Sequence, residues 1–239
     1  MIKIFKNPKS LLSALADFIV AQAQQAIDSD GRFNFVLSGG SSPKKLYELL
    51  ASKAYRDKID WQKVYFFFGD ERYVSHDHAD SNYRMVKTAL FDPLKIVDHI
   101  FAYDTKLSPA DSAVSYESVI RKHFNGPCSF DLILLGLGDN SHTASLFPHT
   151  NVLHEKIAFV KDVFVEEVKM HRLTFTAPLI NKARSIVFLV FGSGKAEAVH
   201  HVIEDSPNID EYPAQLIRPR EGDLHWFLDE AAAALIKKN

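Results

Sequence analysis

Short unbroken apolar blocks alternate with longer stretches in which apolar side chains recur at helical spacing, a pattern that predicts strands and helices in turn along the chain. Leu11, Leu12, Leu15, Phe18 and Ile19 share one helical face and predict a helix capped by Ser10 that runs to about Ile27, where Asp28-Ser29-Asp30-Gly31 stops it. Residues 33–37 read as a strand, and Pro43 suits the first turn of a helix over 44–50. The block Val64-Tyr65-Phe66-Phe67-Phe68 is too apolar for a strand with one wet face and predicts cover on both sides. Helices are expected near 81–90 and over 109–124, with a short strand at 99–103 between them. Farther on, the pattern predicts a strand over 130–135, two strand pieces within 158–168 broken at Lys161-Asp162, and strands over 173–176 and 186–191. A helix over 195–203, a strand over 224–228 and a helix over 230–237 close the chain.

Strands alternating with helices imply an α/β protein with a largely parallel sheet and helices on both faces. No internal repeat, low-complexity tract or linker interrupts the pattern, so residues 1–239 are expected to form a single domain. The hydrophobic fraction of 46% and charged fraction of 24% suit an ordinary globule. A net charge of -2 gives no general reason for nucleic acid or an acidic membrane as partner, so any anion site must be local. The single cysteine, Cys128, excludes an internal disulfide and fits a reducing compartment. The polar run Lys6-Asn7-Pro8-Lys9 follows the start too closely for a signal peptide, and no stretch approaches the roughly 18 apolar residues of a spanning helix; a cytoplasmic protein is expected.

Parallel sheets bind ligands beyond the carboxyl ends of their strands, and four loops there carry candidate chemistry. In Leu37-Ser38-Gly39-Gly40-Ser41-Ser42-Pro43 the glycines let backbone amides approach an anion, with hydroxyls beside them and a helix N-terminus behind. On spacing alone a purely structural turn explains this loop as well, since the lysine of a P-loop is missing. Asp70, Glu71 and Arg72 follow the triple-phenylalanine strand, offering a guanidinium for phosphate and a carboxylate that could orient a base or a sugar hydroxyl; a local ion pair is the plain alternative. Gly192-Ser193-Gly194-Lys195 opens a helix with a lysine in reach of an anion, and Arg172 could join it. The fourth loop, Gly136-Leu137-Gly138-Asp139-Asn140-Ser141-His142, delivers a histidine at a strand end, where imidazole can both take and give a proton near neutral pH. His76, His78, His123, His149, His200 and His201 fall in polar or helical surroundings and read as solvated surface. The spacing around Asp77 matches no zinc pattern, so no metal is expected.

Taken together, Ser38 to Pro43, Gly69-Asp70-Glu71-Arg72 with Ser81-Asn82-Tyr83-Arg84, Gly136 through His142-Thr143-Ala144-Ser145-Leu146-Phe147-Pro148, Gly192 to Ala196, and the closing Trp226-Phe227-Leu228-Asp229-Glu230-Ala231-Ala232 resemble the 6-phosphogluconolactonases. The resemblance spans nearly the whole chain in order. It implies a modified doubly wound α/β fold shared with glucosamine-6-phosphate deaminases, no organic cofactor or metal, and a phosphorylated sugar lactone as the small-molecule partner. It also implies hydrolysis of 6-phosphoglucono-1,5-lactone in the oxidative pentose phosphate pathway. His142 and Asp70 are then the catalytic candidates. Gly39, Gly40, Ser41, Ser42, Arg72, Arg172 and Lys195 are the candidates for binding substrate and phosphate, with Arg84 as a further cation. The family usually carries Asp-Gly before this histidine, whereas this chain has Asn140-Ser141; in the related deaminases that aspartate moves protons, so its absence argues against deamination here. An isomerase or deaminase that shuttles a proton on Asp70, and a sugar-phosphate sensor without turnover, are the alternative functions on the same loops.

Overall fold

The computed structural model describes residues 1–237. The chain opens with β1 (Ile2–Phe5), α1 (Pro8–Asp30), β2 (Phe33–Leu37), α2 (Ser41–Leu50), β3 (Val64–Phe68) and β4 (Asp70–Arg72). It continues through α3 (Asn82–Val86), α4 (Asp92–Leu94), β5 (Ile100–Phe101), α5 (Pro109–Phe124), β6 (Leu132–Leu135), β7 (Val160–Val165) and β8 (Met170–Phe175). The last elements are α6 (Ala177–Ile180), β9 (Ser185–Val190), α7 (Ala196–Glu204) and β10 (Asp223–Asp229).

Seven strands make one sheet in the order β1-β10-β9-β6-β2-β3-β5, and every neighbouring pair in it is parallel. From β2 the chain steps outward to β3 and β5, returns to β6 on the other side of β2, and then steps outward the opposite way through β9 to β10. The strand order therefore reverses between β2 and β6, and a crevice opens beyond their carboxyl ends. β2, β6 and β9 are buried along their whole lengths, as their unbroken apolar sequences require. Leu11, Leu15, Ala16, Ile19, Ala23 and Ala26 line the buried face of α1 and join a continuous apolar cluster with the strands. Among the described residues no helix is long and apolar enough to cross a membrane.

Several local expectations are corrected. Asn7, not Ser10, caps α1: its side chain accepts from the Ser10 amide at 3.0 Å, and Pro8 takes the first helical position, where a missing N–H costs nothing. Ser81 lies outside α3 as its cap, and the helical run continues past the expected end, through a π turn over Lys87–Phe91 and on to Leu94. β7 runs unbroken through Lys161-Asp162 because it pairs along its whole length with β8. Residues 230–237 form turns instead of a helix. Asp229 Oδ1 accepts from the amides of both Ala232 and Gly192, which ties this short segment to the loop after β9, and eight residues are too few to propagate a helix unaided. His123 is no solvated surface residue: it packs against Phe67, Phe101 and Phe124, and burial pushes its pKa down to about 4. A further feature without a legible pattern is the separate antiparallel sheet β4-β8-β7. Three charged residues cannot display the alternation that marks a strand, so Asp70–Arg72 reads as a loop until β8 pairs with it.

Candidate active site

A cavity of about 340 Å³ lies over the crevice between β2 and β6. The turn after β2 forms one wall. Gly40 has φ +101°, a conformation open to glycine, and it leads into α2 with no side chain capping the first-turn amides of Ser41 and Ser42. Gly39 lies so close to Asn82 that a Cβ would fall 1.9 Å from the amide oxygen.

The loop after β6 forms the opposite wall. The Gly138 amide donates to the His142 carbonyl at 2.8 Å, and Ser141 N–H donates to the Gly138 carbonyl at 3.0 Å, closing a tight loop. Ser141 sits at φ +62°, a left-handed conformation that costs a non-glycine residue roughly 1–2 kcal/mol. Its carbonyl accepts from the Ala214 amide at 3.0 Å, which helps hold that geometry. The His142 ring stacks on Phe147 at 3.9 Å between centroids and leans over Gly138, where a Cβ would lie 2.0 Å from Nδ1. Nδ1 lies 2.5 Å from Asn140 Oδ1, and Asn140 Nδ2 donates to Glu167 Oε2 at 2.8 Å. The amide oxygen faces the ring, so Nδ1 carries the proton and Nε2 keeps its lone pair. Among the described residues Nε2 has no hydrogen-bond partner. Burial, reinforced by Lys195, Arg172 and Arg72, pushes the His142 pKa down to about 4, so the ring is neutral at physiological pH.

Arg72 and Arg172 are direct partners across β4 and β8. Like charges facing each other on paired strands repel. Both Nε atoms are buried without a partner, while Arg72 Nη1 donates to the Asp80 carbonyl at 2.7 Å. Burial and the neighbouring Arg72 lower the Arg172 pKa, while the Asp70 and Glu71 carboxylates act the other way. Lys195, beyond β9, pairs with the exposed Asp139 at 2.5 Å. Three cations from three segments thus converge on one cavity, an arrangement that suits a small polyanion.

One carboxylate lines the cavity and a second lies buried behind it. Asp70 accepts from Ser145 Oγ at 2.8 Å and from Asn82 Nδ2 at 3.2 Å. Glu71, buried, accepts from the amides of Arg72, Asn82 and Tyr83 and from Ser81 Oγ, so it anchors α3 against β4. Burial raises its pKa and the three amides oppose that rise.

Asp70, His142, Gly39, Gly40, Ser41, Ser42, Arg72, Arg172 and Lys195 all line the cavity. Arg84 does not; its Nη1 donates to the Asp77 carbonyl at 2.8 Å. Asn82, Ser145, Phe147 and Glu167 also line it; Ser145 and Glu167 act on Asp70 and Asn140, partners distant in the chain that spacing alone does not reveal.

Residues 6–226 match the protein family described as glucosamine-6-phosphate isomerases/6-phosphogluconolactonase. The chain is 41% identical to a 6-phosphogluconolactonase of Nostoc sp., over 98% of this chain and 97% of that protein. It is 36% identical to the 6-phosphogluconolactonase of Rattus norvegicus, over 99% and 93% of the two chains. The solved structure of 6-phosphogluconolactonase from Trypanosoma cruzi superposes with a TM-score of 0.89 at 29% identity, covering 99% of this chain and 97% of that one.

Proposed function

Because the chain belongs to the glucosamine-6-phosphate isomerase/6-phosphogluconolactonase family, we propose that its cavity hydrolyses 6-phospho-D-glucono-1,5-lactone to 6-phospho-D-gluconate, with His142 as the general base. The observation that carries this reading is a neutral imidazole with a bare Nε2 in the same cavity as Arg72, Arg172 and Lys195. Lactone hydrolysis needs a deprotonated water at C1, donors for the tetrahedral oxyanion and a proton for the departing ring oxygen. Nε2 takes the water proton during attack and returns it to the ring oxygen as the intermediate collapses. The free amides of the Gly39–Ser42 turn are the available oxyanion donors. The phosphate lies between Arg72 and Arg172, relieving their mutual repulsion, and draws Lys195 from its exposed partner Asp139. Asp70, already bonded to Ser145 and Asn82, is the carboxylate for a sugar hydroxyl. Residues 1–239 act as one lactonase domain, a reading supported by the continuous apolar cluster beneath the cavity. Asn140 in place of a carboxylate weighs against a deaminase, which must move protons between carbons.

Generating the lactone in place from glucose 6-phosphate and following C1 by ¹³C NMR tests the reaction against its spontaneous background. The protein is expected to accelerate ring opening. Ammonia release from glucosamine 6-phosphate, or binding of the lactone without turnover, would overturn the reading. On acidification kcat/KM is expected to fall in two steps. The first, near pH 6, is the substrate's phosphate dianion gaining a proton to become the monoanion. The second, near pH 4, is His142 gaining a proton and losing its function as a base. Above both steps activity stays flat toward neutrality.

Replacing Arg172 by alanine removes one buried charged contact and is expected to raise KM about 30-fold while kcat holds within about threefold. Steady-state kinetics on the phosphorylated and unphosphorylated lactones checks this, since only the phosphorylated one should feel the loss.

A further inference from the structure

A carboxylate beside an imidazole offers an acceptor whichever way it is turned, whereas an asparagine amide offers an acceptor on one side and a donor on the other. Asn140 therefore needs something to set its sense. Its Oδ1 lies 2.5 Å from His142 Nδ1 and also accepts, at a longer 3.3 Å, from the His142 main-chain N–H, and its Nδ2 donates to Glu167 Oε2 at 2.8 Å. Glu167 sits on the 3-10 turn Glu166–Val168 after β7, and its hydrogen bond goes to the amide and not to the ring. We infer that Glu167 is a positioning residue: by accepting the Asn140 N–H it fixes the direction of the amide, obliges Nδ1 to carry the ring proton and keeps Nε2 bare. With the amide reversed, Nδ2 would donate to Nδ1, the ring proton would move to Nε2, and no base would face the substrate.

The molecule repeats this construction elsewhere. At another histidine whose pKa burial depresses, Asn34 Nδ2 donates to Asp131 Oδ2 at 2.9 Å, and Asn34 Oδ1 lies 2.7 Å from His123 Nε2. In both places a carboxylate orders an amide and the amide selects the imidazole tautomer. At His123 the ring is packed among phenylalanines, while at His142 the ring lines the cavity with Nε2 unbonded among the described residues.

The inference rests on the reading of His142 as general base, yet its primary test needs no turnover. In full-length protein labelled with ¹⁵N-histidine, long-range ¹H–¹⁵N correlations at pH 7 report the His142 tautomer, the signal being assigned by its loss in His142→Ala. The wild type is expected to show Nδ1–H. Glu167→Ala is expected to shift the ring substantially toward Nε2–H and to lower kcat about tenfold, with KM within about twofold. Glu167→Gln, which can still accept through its amide oxygen, should recover most of both. Glu167→Ala combined with Asn140→Asp should restore Nδ1–H, because either carboxylate oxygen accepts from Nδ1. A Glu167→Ala ring that remains Nδ1–H, or a double variant that fails to regain it, would overturn the assignment of Glu167. Full turnover in His142→Ala would instead remove the general base and leave the tautomer result standing.

Discussion

Replacing His142 by alanine is expected to lower kcat by about 10²–10⁴, the usual contribution of a positioned acid/base group, with little change in KM. The split follows from the division of the cavity. In the proposed mechanism the ring supplies the base, whereas affinity is assigned to Arg72, Arg172 and Lys195, which line the cavity from other segments. The loop should survive the change. Its closure depends on main-chain bonds from Gly138 to the residue-142 carbonyl and from Ser141 to Gly138, and on Thr143 Oγ1 donating to the Gly136 carbonyl at 2.8 Å, none of which needs the imidazole. Kinetics corrected for spontaneous ring opening, with circular dichroism as a control for folding, makes the test. Wild-type turnover in a folded variant would rule out the ring as the base.

Gly138→Ala should produce a loss of about 10² in kcat with a nearly unchanged Tm, because displacing a catalytic group by about an ångström can cost that much. The glycine is not needed here for its backbone, since Gly138 lies outside the left-handed region that Gly40 occupies. It is needed for the space above it. A methyl group there would fall 2.0 Å from His142 Nδ1 and 2.2 Å from Cε1, and the ring would have to swing off both Asn140 and Phe147. Because the atoms that must yield belong to a side chain, the fold accommodates the change while the site does not. Paired measurement of kcat and thermal unfolding separates the two. A folded Gly138→Ala protein with full activity would show that the ring tolerates another placement.

The layers of this structure were unequally legible in the chain. Buried parallel strands announce themselves, because β2, β6 and β9 must be apolar on both faces, and their boundaries fall within a residue or two of the expected ones. Gly39, Gly40, Ser41, Ser42, His142 and Lys195 could be placed because turns at the carboxyl ends of such strands share one side of the sheet. Charged pairings were not legible. Nothing at Arg72 indicates that it will face Arg172 across a strand pair, since that register is set by β8 folding back a hundred residues later. The Asn140 amide is similar: its neighbour His142 is visible in the sequence, but Glu167, which orders it, comes from the turn after β7. Asp70 illustrates a third limit. A carboxylate at a strand end suggests proton chemistry, and only the bonds to Ser145 and Asn82 reveal how much of its capacity is already committed. At the chain end, alanines with good helical propensity failed to make a helix because Asp229 bound their first turn to the loop at Gly192.

The reversal of strand order between β2 and β6 also sets a schedule for synthesis. A growing chain holds His142 in its emerged portion well before Arg172 and Lys195 have been added, and β6 must wait for β9 before both its edges are paired. At that stage the ring has Arg72 upstream of it but neither Arg172 nor Lys195, and the sheet around it is unfinished. On the proposed reading, two of the three cations that hold the phosphate arrive only with the last third of the polypeptide.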